Sequence, residues 1–321
     1  MKPQDEVALL KRAIALAESG GSELADRMGT SPVSQYVDAE RFAQEMQNIF
    51  RRQPAAVAHV SELSEANAYL TVDSPHGSLL LTRDADGHIQ VFHNVCRHRG
   101  TQLVNEQSGC AKRFSCPYHA WTYANNGELV GVPHAETGFP ELRREDFGLV
   151  SLPSVLRYGL VWVGVEEKDF DAYLSGLAPD LAWLGLDDLR VYATEQRAWR
   201  ANWKLIAEGG LEAYHFRKAH GKTIAPFFYD NLNLWDRFGD HFRNVLPRRS
   251  LEKLKDQDES AWSLRHNSHM TYSLFPMTLF LVQSDHIVWI QARPIAPDQT
   301  DIRMTTLVPA QGEDAKKPES H

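Results

Sequence analysis

The opening segment MKPQDEVALLKRAIALAESGG carries apolar residues at helical spacing, broken by Lys11 and Arg12, and it ends at Gly20-Gly21. It predicts an amphipathic helix with a glycine stop, and its charges exclude a secretory leader. A second helix is predicted from Asp38 to Phe50. There Phe42, Met46, Ile49 and Phe50 form one stripe and Asp38 can cap. From Ala56 to Val165 the texture becomes short β-type runs: AVAHV, AYLTV, SLLLT, IQVFHN and GLVWVGV, with DADG and NNGE as hairpin turns. After Glu166 helical signals return in DFDAYLSGLAPDLAWLG. VYATEQRAWRA reads as a strand leading into a helix near Asn202, and HMTYSLF, MTLFLVQ, HIVWIQARP and DIRMTTLV follow as strands. The fold class expected is therefore α+β: an all-β unit, then a mixed half with an antiparallel sheet.

Composition narrows the function. The 321 residues are 43% hydrophobic and 24% charged, enough for two domains with buried cores. The net charge of −8 argues against nucleic acid or an anionic membrane as partner, since both select basic surfaces. No apolar run reaches the roughly 20 residues of a bilayer span. Three cysteines do not make a disulfide scaffold, so a reducing cytoplasmic location is the default. No GxGxxG or GxxxxGK[ST] motif is present, so no bound dinucleotide or nucleoside triphosphate is expected.

Two of the three cysteines lie in Cys96-x-His98 and Cys116-x-x-His119. Zinc knuckles usually open with two cysteines, whereas here each piece offers one sulfur and one nitrogen. That mixed order suits a [2Fe-2S] cluster of Rieske type, one iron on Cys96 and Cys116 and the other on His98 and His119, with zinc as the alternative. Cys110 has no partner at ligand spacing and reads as a semi-buried hydrophobe. A second group, NWKLIAEGGLEAYHFRKAH, places Glu208, Glu212 and His215 at i, i+4 and i+7, on one face of a continuous helix. His220 follows His215 at i+5, so the pair meets at one metal only where the helix ends, kinks or widens.

Taken together, CRH, CPYHAW, NWKL and EAYHFRKAH make the chain resemble the alpha (catalytic) subunits of the Rieske non-haem iron, ring-hydroxylating oxygenases. The resemblance implies three regions. Residues 1–55 would be helices packing on the catalytic domain, 56–165 the Rieske domain, and 166–321 an incomplete helix-grip (START/SRPBCC-like) catalytic domain. It implies a mononuclear Fe(II) on His215 and His220, with Glu212 bridging the two metal centres across a head-to-tail homotrimer. It also implies O2 and a small organic substrate, aromatic or apolar, with electrons from a separate NAD(P)H reductase, directly or through a ferredoxin. The alternatives are an O- or N-demethylating monooxygenase acting on a quaternary amine, and an electron carrier with an incomplete iron site.

Two departures qualify the resemblance. Many members have Asp at the bridging position; Glu212 in its place resembles the members that demethylate quaternary amines. The third iron ligand, a carboxylate on a late helix, has no counterpart: Asp285, Asp298, Asp301, Glu313 and Asp314 all lie in turns or in the polar tail. The chain therefore reads as a truncated copy or a fragment. A pocket between the iron helix and the sheet is expected, with Phe228, Trp235 and Phe280 among its aromatics.

Overall fold

A computed structural model describes residues 1–24 and 26–311. The chain divides into two compact units, one made of Met1–Ile49 with Asp171–His321, the other of Phe50–Phe170.

The first unit opens with α1 (Pro3–Ser19), which buries Leu9, Leu10 and Ala13 and stops at Gly20 in the left-handed region, φ 63°. Then come α2 (Ser34–Val37) and α3 (Ala39–Glu45), the latter capped by Asp38. The predicted helix over 38–50 changes character after Glu45, because Met46–Phe50 form a π-helical turn.

The second unit is all-β apart from short helical turns. Its strands are β1 (Ala55–His59), β2 (Ala68–Ser74), β3 (Gly77–Arg83), β4 (Ile89–His93), β5 (Ser108–Cys110), β6 (Arg113–Ser115), β7 (Thr122–Ala124), β8 (Leu129–Gly131), β9 (Ser154–Arg157) and β10 (Leu160–Val163). They form antiparallel sheets ordered β4-β3-β2-β5, β6-β7-β8 and β1-β10-β9. The run Leu79-Leu80-Leu81 does not alternate because β3 is covered on both faces. Leu80 packs with Cys96, Cys116, Trp121 and Tyr123, while Leu79 and Leu81 pack with Val57, Leu70 and Val161. Between β8 and β9 lies α4 (Ala135–Gly138). Cys110 is not the semi-buried hydrophobe expected: it is exposed on β5, its Sγ 3.7 Å from Glu65.

The helix α5 (Glu167–Leu174) runs across the boundary, and α6 (Ala178–Leu184) then precedes β11 (Leu189–Trp199), α7 (Trp203–Gly209) and α8 (Phe216–Ala219). Then follow β12 (Leu234–Phe238), β13 (His241–Pro247), α9 (Leu264–Asn267), β14 (Ser268–Leu274), β15 (Thr278–Val282), β16 (Ile287–Ala296) and β17 (Gln299–Pro309). Their sheet has the order β11-β17-β16-β15-β14-β13-β12, antiparallel throughout. One face is a closed core carrying Val245, Met270, Tyr272, Phe280 and Trp289, all buried. Phe280 belongs to this face and is core, opposite to the face that carries Leu246 and His269. Beneath the core, Asp180 accepts from Tyr272 (3.0 Å) and Arg243 (2.5 Å), and Arg243 also reaches Asp236, so the buried guanidinium is balanced. No helix among the described residues is long and apolar enough to cross a membrane.

Candidate metal centres

Two hairpin tips of the β unit share one geometry. The first, residues 96–101, is closed by the bridge Val95↔Gln102, and the second, 116–121, by Ser115↔Thr122. In each the cysteine N–H donates to the carbonyl five residues on: Cys96 to Thr101 and Cys116 to Trp121, both 2.8 Å. In each the residue four on donates back to the cysteine carbonyl, Gly100 at 3.0 Å and Ala120 at 2.9 Å. That closure needs a left-handed residue, and Gly100 (φ 77°) and Ala120 (φ 57°) supply it. Twin loops thus hold Cys96 and Cys116 in the interior, while the rings of His98 and His119 stand 4.8 Å apart above them.

The histidines differ in their surroundings. His98 is half-buried, stacked on Trp121 at 4.8 Å and edge-on to Phe139 at 6.0 Å. Desolvation, then His119 and Arg99, hold it below the ordinary imidazole value. His119 is exposed, with Tyr118 against it. Burial pushes the Cys96 thiol up, so its anion needs compensation. One compensating donor is Tyr123, a residue the sequence reading missed. Its hydroxyl lies 3.4 Å from Cys96 Sγ and accepts the Arg97 N–H at 3.0 Å. Two buried sulfurs and two imidazoles on a common face fit a cluster held by all four residues.

In the other unit, Asn202 caps α7. Its Oδ1 accepts from the Lys204 N–H, and its amide donates to Tyr36 and Pro297 carbonyls at 2.9 and 2.7 Å. Buried Glu45 accepts from Trp203 Nε1 (2.9 Å) and Lys204 Nζ (2.7 Å), which ties α3 to the start of α7. The continuous helix expected through Glu208, Glu212 and His215 is not formed, because α7 ends at Gly209-Gly210. His215 instead begins α8 and His220 ends it. This break lets the two rings approach to 5.3 Å despite their i+5 spacing. Glu212 turns back on His215: Oε2 accepts the His215 backbone N–H at 3.0 Å and Oε1 accepts from Nδ1. A carboxylate on Nδ1 leaves Nε2 as the nitrogen for a metal, the usual arrangement behind a metal-bound imidazole.

The segment rests on Phe228 and Leu246, with Ala213, Phe216 and Ile224 packed around them. Among the described residues no further His, Cys, Asp or Glu completes a three-donor group with His215 and His220. Asp285 is engaged by His286 (2.8 Å) and Asp301 by Arg293 (2.8 Å), while Glu313 and Asp314 lie outside the described residues. A three-donor group does occur at Asp84, Asp86 and His88. It is the β3–β4 hairpin tip, where Asp84 accepts the Asp86 and His88 N–H groups and faces His88 Nδ1, so turn formation accounts for its shape.

Residues 53–153 match the Rieske [2Fe-2S] domain, and residues 186–320 match the ring hydroxylating alpha subunit (catalytic domain). The chain is 32% identical over 291 residues to the 2-aminobenzenesulfonate 2,3-dioxygenase alpha subunit of an Alcaligenes species, covering 85% of this chain and 72% of that one. It is 30% identical to the glycine betaine monooxygenase oxygenase subunit of Chromohalobacter salexigens, covering 78% of this chain and 56% of the relative. The chain thus spans about half the length of several curated relatives. A quaternary ammonium Rieske monooxygenase superposes with TM-score 0.76 at 25% identity, over 89% of this chain and 78% of that one. Naphthalene 1,2-dioxygenase from Rhodococcus shares the fold, with TM-score 0.76 at 22% identity over 96% and 78%.

Proposed function

The chain belongs to the Rieske-type ring-hydroxylating oxygenase alpha subunits, and from that premise we propose that it inserts oxygen from O2 into a small organic substrate, with an N-methylated or quaternary amine favoured over an aromatic hydrocarbon. The observation that carries the reading is the pair His215 and His220 at the two ends of α8, with Glu212 on His215 Nδ1. A cluster in the twin loops would supply electrons singly, and an iron held by His215 and His220 would supply O2 activation. Cys96, Cys116, His98 and His119 would hold the cluster, and two imidazoles in place of two thiolates would favour its reduced form. Glu212 fixes the ring and tautomer of His215 and is our candidate for the bridge to a neighbouring subunit's cluster in a head-to-tail trimer. Phe216 borders the pair, its ring 5.0 Å from His215 and 5.9 Å from His220, and an aromatic ring face attracts a cationic nitrogen.

The amine preference is supported by glutamate at 212 and by the names of relatives that act on glycine betaine, on carnitine and on an N,N-dimethyl phenylurea. We read the sheet with α7 and α8 as the helix-grip arrangement, and we assign the electron supply to a separate NAD(P)H reductase in a reducing cytoplasm. The test is iron and spectrum together. Purified protein should show the visible absorption of a Rieske cluster, one iron beyond the cluster's pair, and O2 uptake coupled to loss of an N-methyl group. A coloured protein with cluster iron alone refutes the oxygenase reading, and a colourless zinc protein refutes the cluster.

A further inference from the structure

The floor beneath α8 carries a cation that no carboxylate touches among the described residues, Asp285 acting on it only at longer range. Phe228 is bridged to Arg248 across an isolated β pair, and the Arg248 guanidinium lies over the Phe228 ring at 5.3 Å. Phe228 meets Phe216 at 5.8 Å, and Phe216 meets His220 at 5.9 Å. Leu246, in the same cluster, is the cross-strand partner of His269, so Leu246 and His269 share the face under the histidine pair.

The polar groups around Arg248 have a determined direction. Arg248 Nη2 donates to Gln283 Oε1 at 2.9 Å. Arginine only donates, so the Gln283 oxygen is fixed there and its NH2 is left to donate to His269 Nδ1 at 2.9 Å. His269 therefore carries its proton on Nε2, which faces Thr271 Oγ1 at 3.3 Å. Burial holds His269 down at about 4, neutral at physiological pH. The relay positions the guanidinium and brings it no negative charge. Among the described residues Arg248 makes no ion pair, and its buried Nε has no hydrogen-bond partner. The acid that acts on it at longer range, Asp285, is bonded to His286. The half-buried Arg12 and the buried Arg243 differ, each touching a carboxylate within 3 Å.

We propose that Arg248 reads an anionic group, a carboxylate or sulfonate, on the substrate, and is a specificity-determining residue. A planar guanidinium braced by Gln283 and Phe228 is suited to such a group, and a lysine is not equivalent there. This rests on the proposed iron site, because the anion is placed relative to His215 and His220.

The test is binding by calorimetry to the full chain, with neither reductant nor turnover. The probes are 4-(trimethylammonio)butyrate against its methyl ester, and benzoate and benzenesulfonate against methyl benzoate. The native protein is expected to prefer an acid over its neutral partner by about tenfold or more. Arg248→Gln removes the preference by weakening the acid alone, and Arg248→Lys keeps part of it. If Arg248→Gln does not fold, the lysine variant decides by a reduced preference against an unchanged one. Equal affinity for acid and neutral probe, binding of neither, or a preference that survives substitution overturns the proposal. Absence of O2-dependent turnover with intact anion preference counts against the oxygenase reading alone.

Discussion

Replacing Tyr123 by Phe removes one hydroxyl from beside the first cysteine and leaves the ring. The residue is fully buried, and its hydroxyl has two neighbours: the Arg97 N–H, which it accepts, and Cys96 Sγ, toward which its own proton is left to point. A hydrogen bond to a charged acceptor is worth about 1.5–3 kcal/mol. Both oxidation states of a cluster would receive it, and the reduced state, being more negative, receives more. If roughly a third of the bond is differential, the reduced state gains about 0.5–1 kcal/mol. With 59 mV per tenfold for one electron, Tyr123→Phe should then lower the midpoint potential by about 20–40 mV. The Arg97 N–H loses its acceptor too, at a cost of about 1–3 kcal/mol in stability. The assay is a redox titration followed by visible circular dichroism, with the oxidised spectrum as the check that the cluster is intact. An unchanged potential with an intact spectrum would refute the donor argument.

Glu212→Gln should leave the cluster spectrum intact and slow electron transfer to the iron site by about 10–100-fold, read by stopped-flow; unchanged turnover would sink the bridge. Gly127→Ala should destabilise the β unit by about 2–4 kcal/mol, because φ is +87° and a Cβ would meet the Phe92 ring at 2.5 Å. A melting temperature close to native would contradict that. Glu45→Gln, which leaves Lys204 half-paired beside Trp203, should cost about 3 kcal/mol and raise amide exchange in α7; native exchange there would show that the clamp carries no weight. His269 is held at about 4 against 6.5 when unfolded, so the unfolded chain takes up its proton first as pH falls. Its contribution is complete above about 6.5 and declines down to about 4; urea titrations at pH 7 and pH 5 should show the native protein losing about 2 kcal/mol more than His269→Gln.

Chemistry carried on neighbouring residues was legible early. Each hairpin tip keeps its cysteine and histidine within four positions, and the tight turn that arranges them is encoded locally, so Cys96, His98, Cys116 and His119 stood out from spacing alone. Long strands with apolar runs, such as β3 and β14, were legible for the same reason, whereas β5 to β8 are three residues each, too short to show a period. The spacing of Glu208, Glu212 and His215 favours a helix that continues through Gly209-Gly210; two glycines weaken a helix, but only the docking of Leu211 through Asn244 shows where the chain goes instead.

The sequence by itself determined the two sets of candidate metal ligands, the all-β and mixed halves, and the family those motifs imply. Tertiary structure alone decided which residues surround them. Tyr123 reaches Cys96 across 27 positions, and Arg248, Gln283 and His269 meet from the ends of separate strands. Phe280 faces the closed core while Leu281, one residue on, faces the other side, a choice fixed by strand register. Local spacing specifies ligands because a turn or a short helix is a local object. The hydrogen bonds and charges that tune and select are set by strand pairing across the fold, and no short window of sequence contains that information.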